Sequence, residues 1–442
     1  MSFSARCSAV LLVTTLLLSV GIPLRLAASE AYRKNCLPLK CFVKDFCAVD
    51  DSFMAISKNK KAQDFERVDK DPKVAQEFLN MGKSFYEKYQ GTFDTLLNNA
   101  EAILAEPLPL FTEKQVEAIR TSKKVIDYRF CREMARLFKT VAYHLYKSGK
   151  TREATDMLRL CFRFGQIISA GDGEPPNLIQ GVIGYAIQNT ALENLPATIL
   201  HSNTLPADYL DAVSTSFTKM EAEKTHIETY FKTEYAYLIN TIQHEFDAWI
   251  DPKDEVLSLL VKQIGSIKNL DKKKVQEVWV RRLTNIQSQM INMYLRNIEN
   301  PRGFRAEVSS FSRELSQKAN VGTMNAMIDP IEKSADTVAS LSFVNFGKVY
   351  EDLLMSRYKA LGAMVLFKVA ASMKNGGALP KTADELKKIL GKALPIDLFS
   401  DKKEPCVFKN DNGEIILYSV GTNGHDDGGN GEHDKDMILF RY

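Results

Sequence analysis

The apolar residues between 72 and 373 repeat with a helical period, and this repeat limits the folds open to the chain. Near its start, Val74, Phe78, Met81 and Phe85 follow one another at steps of three and four residues. Such steps place the side chains on one face of an α-helix. Because an apolar helix face must be buried against another element, the sequence predicts a multi-helix body of packed antiparallel helices.

Turn and capping residues set the limits of the predicted helices. Asp71-Pro72 opens the first, since proline is favoured in the first turn of a helix, and Asn375-Gly376-Gly377 closes the last helix of the body. The turn Ser148-Gly149-Lys150 joins two helices into an antiparallel pair. After the opening helix, the predicted helices are 113–147, 151–169, 177–195, 207–248, 253–267, 272–298, 303–332 and 335–374. The sequence contains no repeat of fixed length, so a solenoid is not predicted.

The pattern changes after residue 376, where a small module is predicted. Thr382-Ala-Asp-Glu385 is a capping box that opens a short helix ending near Leu390. Three apolar runs are predicted as β-strands, at 407–409, 415–420 and 437–442. Asp411-Asn412-Gly413 predicts a tight hairpin turn between the first two strands. The predicted fold is therefore mainly α, with a C-terminal α+β module made of a short helix plus a three-stranded antiparallel sheet.

The first 29 residues have the pattern of a secretory signal. Arg6 supplies the positive start, an apolar run covers 8–24, and small residues offer a cleavage site after Ser29. An uncleaved membrane anchor is the alternative, although the run is slightly shorter than the about 20 residues that a span needs. The sequence predicts no transmembrane helix in the mature chain. The expected location is therefore secreted or periplasmic, in the cell envelope.

Six cysteines follow the predicted signal, and an even number in an exported chain permits disulfides. They are Cys36, Cys41, Cys47, Cys131, Cys161 and Cys406. We expect at least two of the six to be paired; the alternative for Cys131 and Cys161 is that both are buried thiols. The predicted segments are a signal peptide (1–29), a Cys-containing N-terminal segment (30–71), the helical body (72–376) and the C-terminal module (377–442).

The stretch between the last two predicted strands combines glycine with hard oxygen donors. Glycine lets a backbone turn its carbonyl groups inward, and Asp and Asn add side-chain oxygens, which suits the six to eight oxygen ligands of Ca²⁺. Residues 421–436 also carry five acids against one lysine. A bound cation would offset their mutual repulsion. The alternative is a solvated Gly/Asp turn that holds no ion.

Several ordered blocks in the tail carry a resemblance to known sequences. They are Leu379-Pro-Lys-Thr-Ala-Asp-Glu-Leu386, Asp397-Leu-Phe-Ser400, Leu417-Tyr-Ser-Val-Gly421, Asn423-Gly424, Asp426-Asp-Gly-Gly429 and Asp436-Met-Ile438. With these spacings, residues 379–442 resemble the C-terminal region of the major pseudopilin of type II secretion systems. They resemble still more closely a tail found on many uncharacterised exported bacterial proteins. The helical body, including 176–187, is similar to that second group, to which no activity is attached.

The resemblance implies a calcium site, because this loop binds Ca²⁺ in pseudopilins. The positions nearest the family's ligands are the Val420 carbonyl, Asn423, Asp427 and Asp436, with Asp426 and Asp434 as further candidates. Asn423 replaces the acid usual in pseudopilins, which removes a charge and predicts weaker binding. The start of the chain departs from the family, since the glutamate expected four residues after a Gly-Phe pair is missing. Assembly into a pseudopilus is therefore not expected.

Other patterns that suggest chemistry are incomplete in this sequence. Glu223-Lys-Thr-His226 has the spacing of a di-iron helix, but a second Glu-x-x-His is lacking. His244-Glu245 begins like a zinc-protease motif, but Ala248 stands where the second histidine is required. Lys272-Lys273-Lys274 is predicted as a solvent-facing helix start, with a phospholipid-binding surface as the alternative.

The overall charge argues against nucleic acid as a partner, since 58 basic residues nearly balance 55 acidic ones. We therefore expect an exported non-enzymatic binding or envelope-associated protein, with a protein or envelope partner and a calcium-binding C-terminal module. The alternative is an extracytoplasmic hydrolase whose site lies in the helical body.

Overall fold

A computed structural model of the protein describes residues 71–105, 108, 113–117, 128–171, 175–193, 195–201, 203–222, 227–250, 271–321, 335–336, 346–411, 413–431 and 436–442. These residues contain fourteen helices and one three-stranded sheet. The predicted fold class is confirmed: the protein is mainly α, with a small C-terminal α+β module.

The described elements follow the predicted order along the chain. The helices of the body are α1 (Pro72–Lys88), α2 (Gln90–Asn98), α3 (Ala100–Ala105), α4 (Glu113–Glu117), α5 (Tyr128–Lys147), α6 (Thr151–Ala170), α7 (Leu178–Leu192), α8 (Leu195–His201), α9 (Ala207–Ala222), α10 (Ile227–Ile250), α11 (Lys272–Arg296), α12 (Pro301–Val321) and α13 (Phe346–Lys374). The module contains α14 (Ala383–Leu390), β1 (Val407–Asp411), β2 (Glu414–Ser419) and β3 (Met437–Arg441).

The limits of two predicted helices differ from those in the structure. The segment 177–195 ends as α7 at Leu192, and α8 begins beside Pro196, whose missing N–H suits a first turn but interrupts a helix interior. The segment 207–248 consists of α9 and α10. The predicted helix 253–267 lies outside the described residues, as do residues 118–127 within the segment 113–147.

Side-chain caps open several of these helices. The Asp71 carboxylate accepts a hydrogen bond from the Lys73 amide (2.9 Å) at the start of α1, as predicted. At α14, Thr382 caps the Glu385 amide (3.2 Å), but the Glu385 carboxylate accepts from the amide of Lys381 and not from that of Thr382. The predicted capping box is therefore formed in part: the bond from the Glu385 amide to Thr382 is present, but the Glu385 side chain bonds the amide one residue before the N-cap.

The centre of the body is α6, which is buried along most of its length between α5 and α7. Its contact with α7 is close because Gly165 faces Gly184: a Cβ atom added at Gly165 would lie 2.5 Å from the Gly184 carbonyl oxygen. A second buried helix, α13, packs against α9, where the Ser214 hydroxyl donates to the Met364 carbonyl (2.9 Å).

The module packs directly on α13 through its sheet. The strand order is β1-β2-β3, all antiparallel, with an irregularity between Leu417 and Tyr418. A Cβ atom added at Gly362 of α13 would lie 2.6 Å from the carbonyl carbon of Leu439 in β3. Leu417 and Leu439 are buried in the same apolar core as the helices of the body. The sheet and the body therefore share one hydrophobic core.

Among the described cysteines, Cys131, Cys161 and Cys406 are buried thiols. The alternative interpretation of Cys131 and Cys161 as buried thiols is therefore confirmed. Cys36, Cys41 and Cys47 lie outside the described residues, so the expected disulfide stays a prediction for that segment. Within the part of the chain that the structure describes, no helix is both long and apolar enough to cross a bilayer.

Candidate ion-binding loop

The loop between β2 and β3 lies against one face of the sheet. Strand pairing aligns Lys409, Ile416 and Arg441 in one row across the three strands. Because side chains alternate along a strand, Tyr418 lies on the same face as Ile416. The opposite face, which includes Leu417, packs toward the helical body. The outer face is the one that the loop covers.

Glycine allows the loop backbone to approach this outer face closely. A Cβ atom added at Gly429 would lie 3.4 Å from the Tyr418 ring, and one at Gly431 would lie 3.1 Å from the Ile438 side chain. Gly429 also has a φ of 84°, in the left-handed region that other residues rarely adopt. From the sequence, these glycines are expected to let carbonyl groups turn toward an ion. The structure gives them a second purpose, which is contact with the sheet.

Asp436 holds the middle of the loop in place. Its side chain is 3% exposed, and its carboxylate accepts three backbone hydrogen bonds. Oδ1 accepts from the Asp427 amide (3.2 Å), while Oδ2 accepts from the Gly429 amide (2.7 Å) and the Asn430 amide (3.2 Å). Hydrogen bonds to a charged acceptor are among the stronger ones in proteins. Asp436 therefore fixes the path of residues 427–430.

A second buried aspartate, Asp397, holds the start of the loop. Its Oδ2 accepts from the Val420 amide (2.7 Å), and its Oδ1 accepts from the Ser419 hydroxyl (2.8 Å) and the Phe399 amide (2.9 Å). Burial raises the pKa of the Asp397 carboxyl, and these hydrogen bonds act in the opposite direction. This role of Asp397 could not be predicted from the sequence, because Ser419 and Val420 lie about twenty residues away along the chain.

The remaining candidate side chains lie on the exposed side of the loop. The Asn423 amide Nδ2 donates to Asp427 Oδ2 (2.7 Å), and Asn423 Oδ1 accepts from the His425 amide (3.0 Å). Asp426 Oδ1 accepts from the Tyr418 hydroxyl (2.9 Å) and from the Gly428 amide (2.9 Å). Burial, followed by the bond to Asp426, raises the pKa of Tyr418. The structure thus brings Asn423 and Asp427, two of the candidate ligands, into contact.

Cationic side chains from outside the loop contact its backbone. Lys409 Nζ donates to the Gly428 carbonyl (2.8 Å), and an Arg441 guanidinium nitrogen lies 3.4 Å from the Gly429 carbonyl oxygen. The Arg302 guanidinium pairs with Asp401 (2.8 Å) and lies against Gly424. The positive charge around these acids therefore comes from Lys409, Arg441 and Arg302 as well as from the one lysine within residues 421–436.

The candidate ligands fit a calcium ion in part. The Asp426 and Asp427 side chains are exposed and can offer oxygens to a cation. Asn423 contacts Asp427 through its amide nitrogen, and its Oδ1, the oxygen it would offer, also accepts from the His425 amide. Asp436 fits less well, because both of its oxygens already accept backbone hydrogen bonds. Asp434 lies outside the described residues. Within those residues, no group of three or more His, Cys, Asp and Glu side chains is arranged to hold a metal.

Other histidines of the chain lie away from this loop. His201 is exposed and its ring stacks on that of Tyr442, with centroids 4.7 Å apart. His244 is exposed on α10, and Glu223 and His226 lie outside the described residues. Comparison with protein-family models, with curated proteins and with solved structures found no significant match.

Proposed function

We propose that this chain is an exported, non-enzymatic binding or envelope-associated protein whose pseudopilin-like C-terminal module binds calcium. The observation that carries the proposal is that a loop held in shape by Asp397 and Asp436 exposes the carboxylates of Asp426 and Asp427. The helical body serves as the scaffold to which this module is attached. Its partner is a protein or another component of the cell envelope.

The shape of the loop supports ion binding, because little ordering is required when the ligand arrives. The buried carboxylates of Asp397 and Asp436 fix the backbone at both ends of the segment 420–430. Preorganisation of this kind reduces the entropic cost of binding. The exposed side chains of Asp426 and Asp427 then supply negative charge, and Asn423 supplies an amide oxygen. A bound Ca²⁺ would neutralise the two carboxylates.

Calcium titration of the full chain, by calorimetry and by thermal unfolding, tests the proposal. Binding to the folded form alone stabilises it by RT ln(1 + [L]/Kd), which is about 2.7 kcal/mol at a hundredfold excess over Kd. We expect calcium to raise the unfolding temperature, and magnesium to raise it less, because Mg²⁺ demands octahedral geometry.

Three variants make the test specific to the loop. Asp427→Asn should remove the calcium effect, while Asp411→Asn should retain it, because Asp411 is an equally exposed aspartate on β1, outside the loop. Asn423→Asp should strengthen binding, because it places a second carboxylate beside Asp427. If the wild-type chain shows neither binding heat nor a thermal shift, the loop serves only to cover the sheet.

A further inference from the structure

The first described helix, α1, crosses α5 at a glycine. A Cβ atom added at Gly82 would overlap the Thr140 carbonyl oxygen and would lie 3.0 Å from the Cβ atom of His144. His144 belongs to the last turn of α5, and its ring lies 5.8 Å from the ring of Tyr86 on α1, tilted by 44°. The imidazole of His144 therefore lies in the contact between the two helices.

The ring of His144 is poorly suited to carry a charge at this position. Its Nδ1 atom is buried and has no hydrogen-bond partner in the structure. An unpaired neutral nitrogen already costs free energy in an apolar contact, and a protonated one costs more. The cost disappears when α1 separates from α5 and water reaches the ring.

The charges that face His144 add to this effect. Lys83 and Glu87 of α1 form an exposed ion pair (3.8 Å), and Lys150, in the turn after α5, lies over the Tyr86 ring at 5.2 Å. The Tyr86 hydroxyl is bonded to Asp94 of α2 (2.7 Å). Protonation would thus place a third cation beside two lysines and one glutamate, and Lys150 already occupies the aromatic face that could otherwise stabilise it.

The end of α5 offers little compensation. A helix C-terminus attracts cations through its free carbonyl groups. Here the carbonyls of His144, Leu145 and Tyr146 already accept hydrogen bonds from the turn that follows. Burial is the main cause that lowers the pKa of His144; Lys83 and Lys150 lower it further, while Glu87 raises it.

We propose that His144 makes the attachment of α1 to α5 sensitive to acid, so that protonation of its ring favours release of α1. A base whose pKa is lower in the attached state binds a proton more readily when α1 has separated. The attachment is therefore fully stable above the unperturbed histidine pKa of about 6.5 and weakens as the pH falls below it.

Hydrogen exchange of the full-length protein between pH 7.5 and pH 5 tests this inference. Protection factors, corrected for intrinsic exchange rates, should fall for residues 72–88 by up to about tenfold per pH unit below pH 6.5. Residues 346–374 of α13 serve as the internal reference, and their protection should change less. Equal losses in both segments would indicate general acid unfolding and would overturn the proposal.

Two variants connect the response to this site. His144→Gln should remove the pH dependence of α1, whereas His201→Gln, which changes an exposed histidine on α8, should leave it intact. Lys150→Gln removes one of the facing cations and should reduce the response even if the His144 variant folds poorly. A pH response that is the same in His144→Gln as in the wild type, or that Lys150→Gln leaves unchanged, would refute the inference.

Discussion

Replacing Gly362 by alanine tests whether the C-terminal sheet is held on α13 by close backbone contact. In a helix interior, alanine is favoured over glycine by up to about 1 kcal/mol. At this position, however, the added methyl group would lie 2.6 Å from the Leu439 carbonyl carbon, well inside normal van der Waals contact. Overpacking of this kind costs about 1–3 kcal/mol. Since the cost exceeds the gain over most of this range, we expect a net destabilisation of up to about 2–3 kcal/mol.

Denaturant unfolding of the full chain, compared with hydrogen exchange of β3, measures this effect. Gly91→Ala is the matched control, because Gly91 is also helical but has no atom within 4 Å of an added Cβ. The control should leave the unfolding midpoint unchanged or raise it. Gly362→Ala should lower the midpoint and reduce the amide protection of β3.

The reasoning would be refuted if Gly362→Ala matched Gly91→Ala in both measurements. Such a result would mean that β3 can move away from α13 at little cost. Loss of stability without any loss of protection in β3 would also contradict it, since the strain is expected at the contact between the sheet and the helix.

Two further predictions concern buried groups. Asp436→Asn should destabilise the protein by about 2–3 kcal/mol, because a neutral amide replaces the charged acceptor of three backbone hydrogen bonds. Asp426→Asn, at an exposed position, should cost less than about 1 kcal/mol. Urea unfolding of the two variants measures the difference. Burial raises the pKa of the Cys161 thiol to about 12, so Cys161, Cys131 and Cys406 should resist a thiol reagent in the folded protein and react after denaturation. Fast modification of any of the three in the native state would contradict their burial.

The helical body could be predicted from the sequence because its signal is local. Val74, Phe78 and Phe85, which share the predicted face of the first helix, are all buried in α1. Boundaries were less accurate where a break depends on one residue, as at Pro196. Packing between helices could not be predicted, since nothing local distinguishes Gly165, at the contact with α7, from the unobstructed Gly91.

The candidate loop, like the helical body, could be predicted from the sequence only in part. Its position between two strands was predicted from the sequence pattern. The roles of Asp397 and Asp436 as backbone acceptors were not, because they depend on how the loop folds over the sheet. The same holds for Lys409, which reaches the loop from a different strand.

The contact between Gly362 and Leu439 also affects the order in which the protein can fold. The opposite side of α13 meets α9, which precedes it in the chain, so the bond between Ser214 and Met364 can form as soon as α13 has been synthesised. The side that carries Gly362 has to wait for β3, which emerges from the ribosome much later. Apolar surface that stays exposed in the interval favours aggregation. A nascent chain that pauses before β3 would therefore expose one face of α13 to its surroundings.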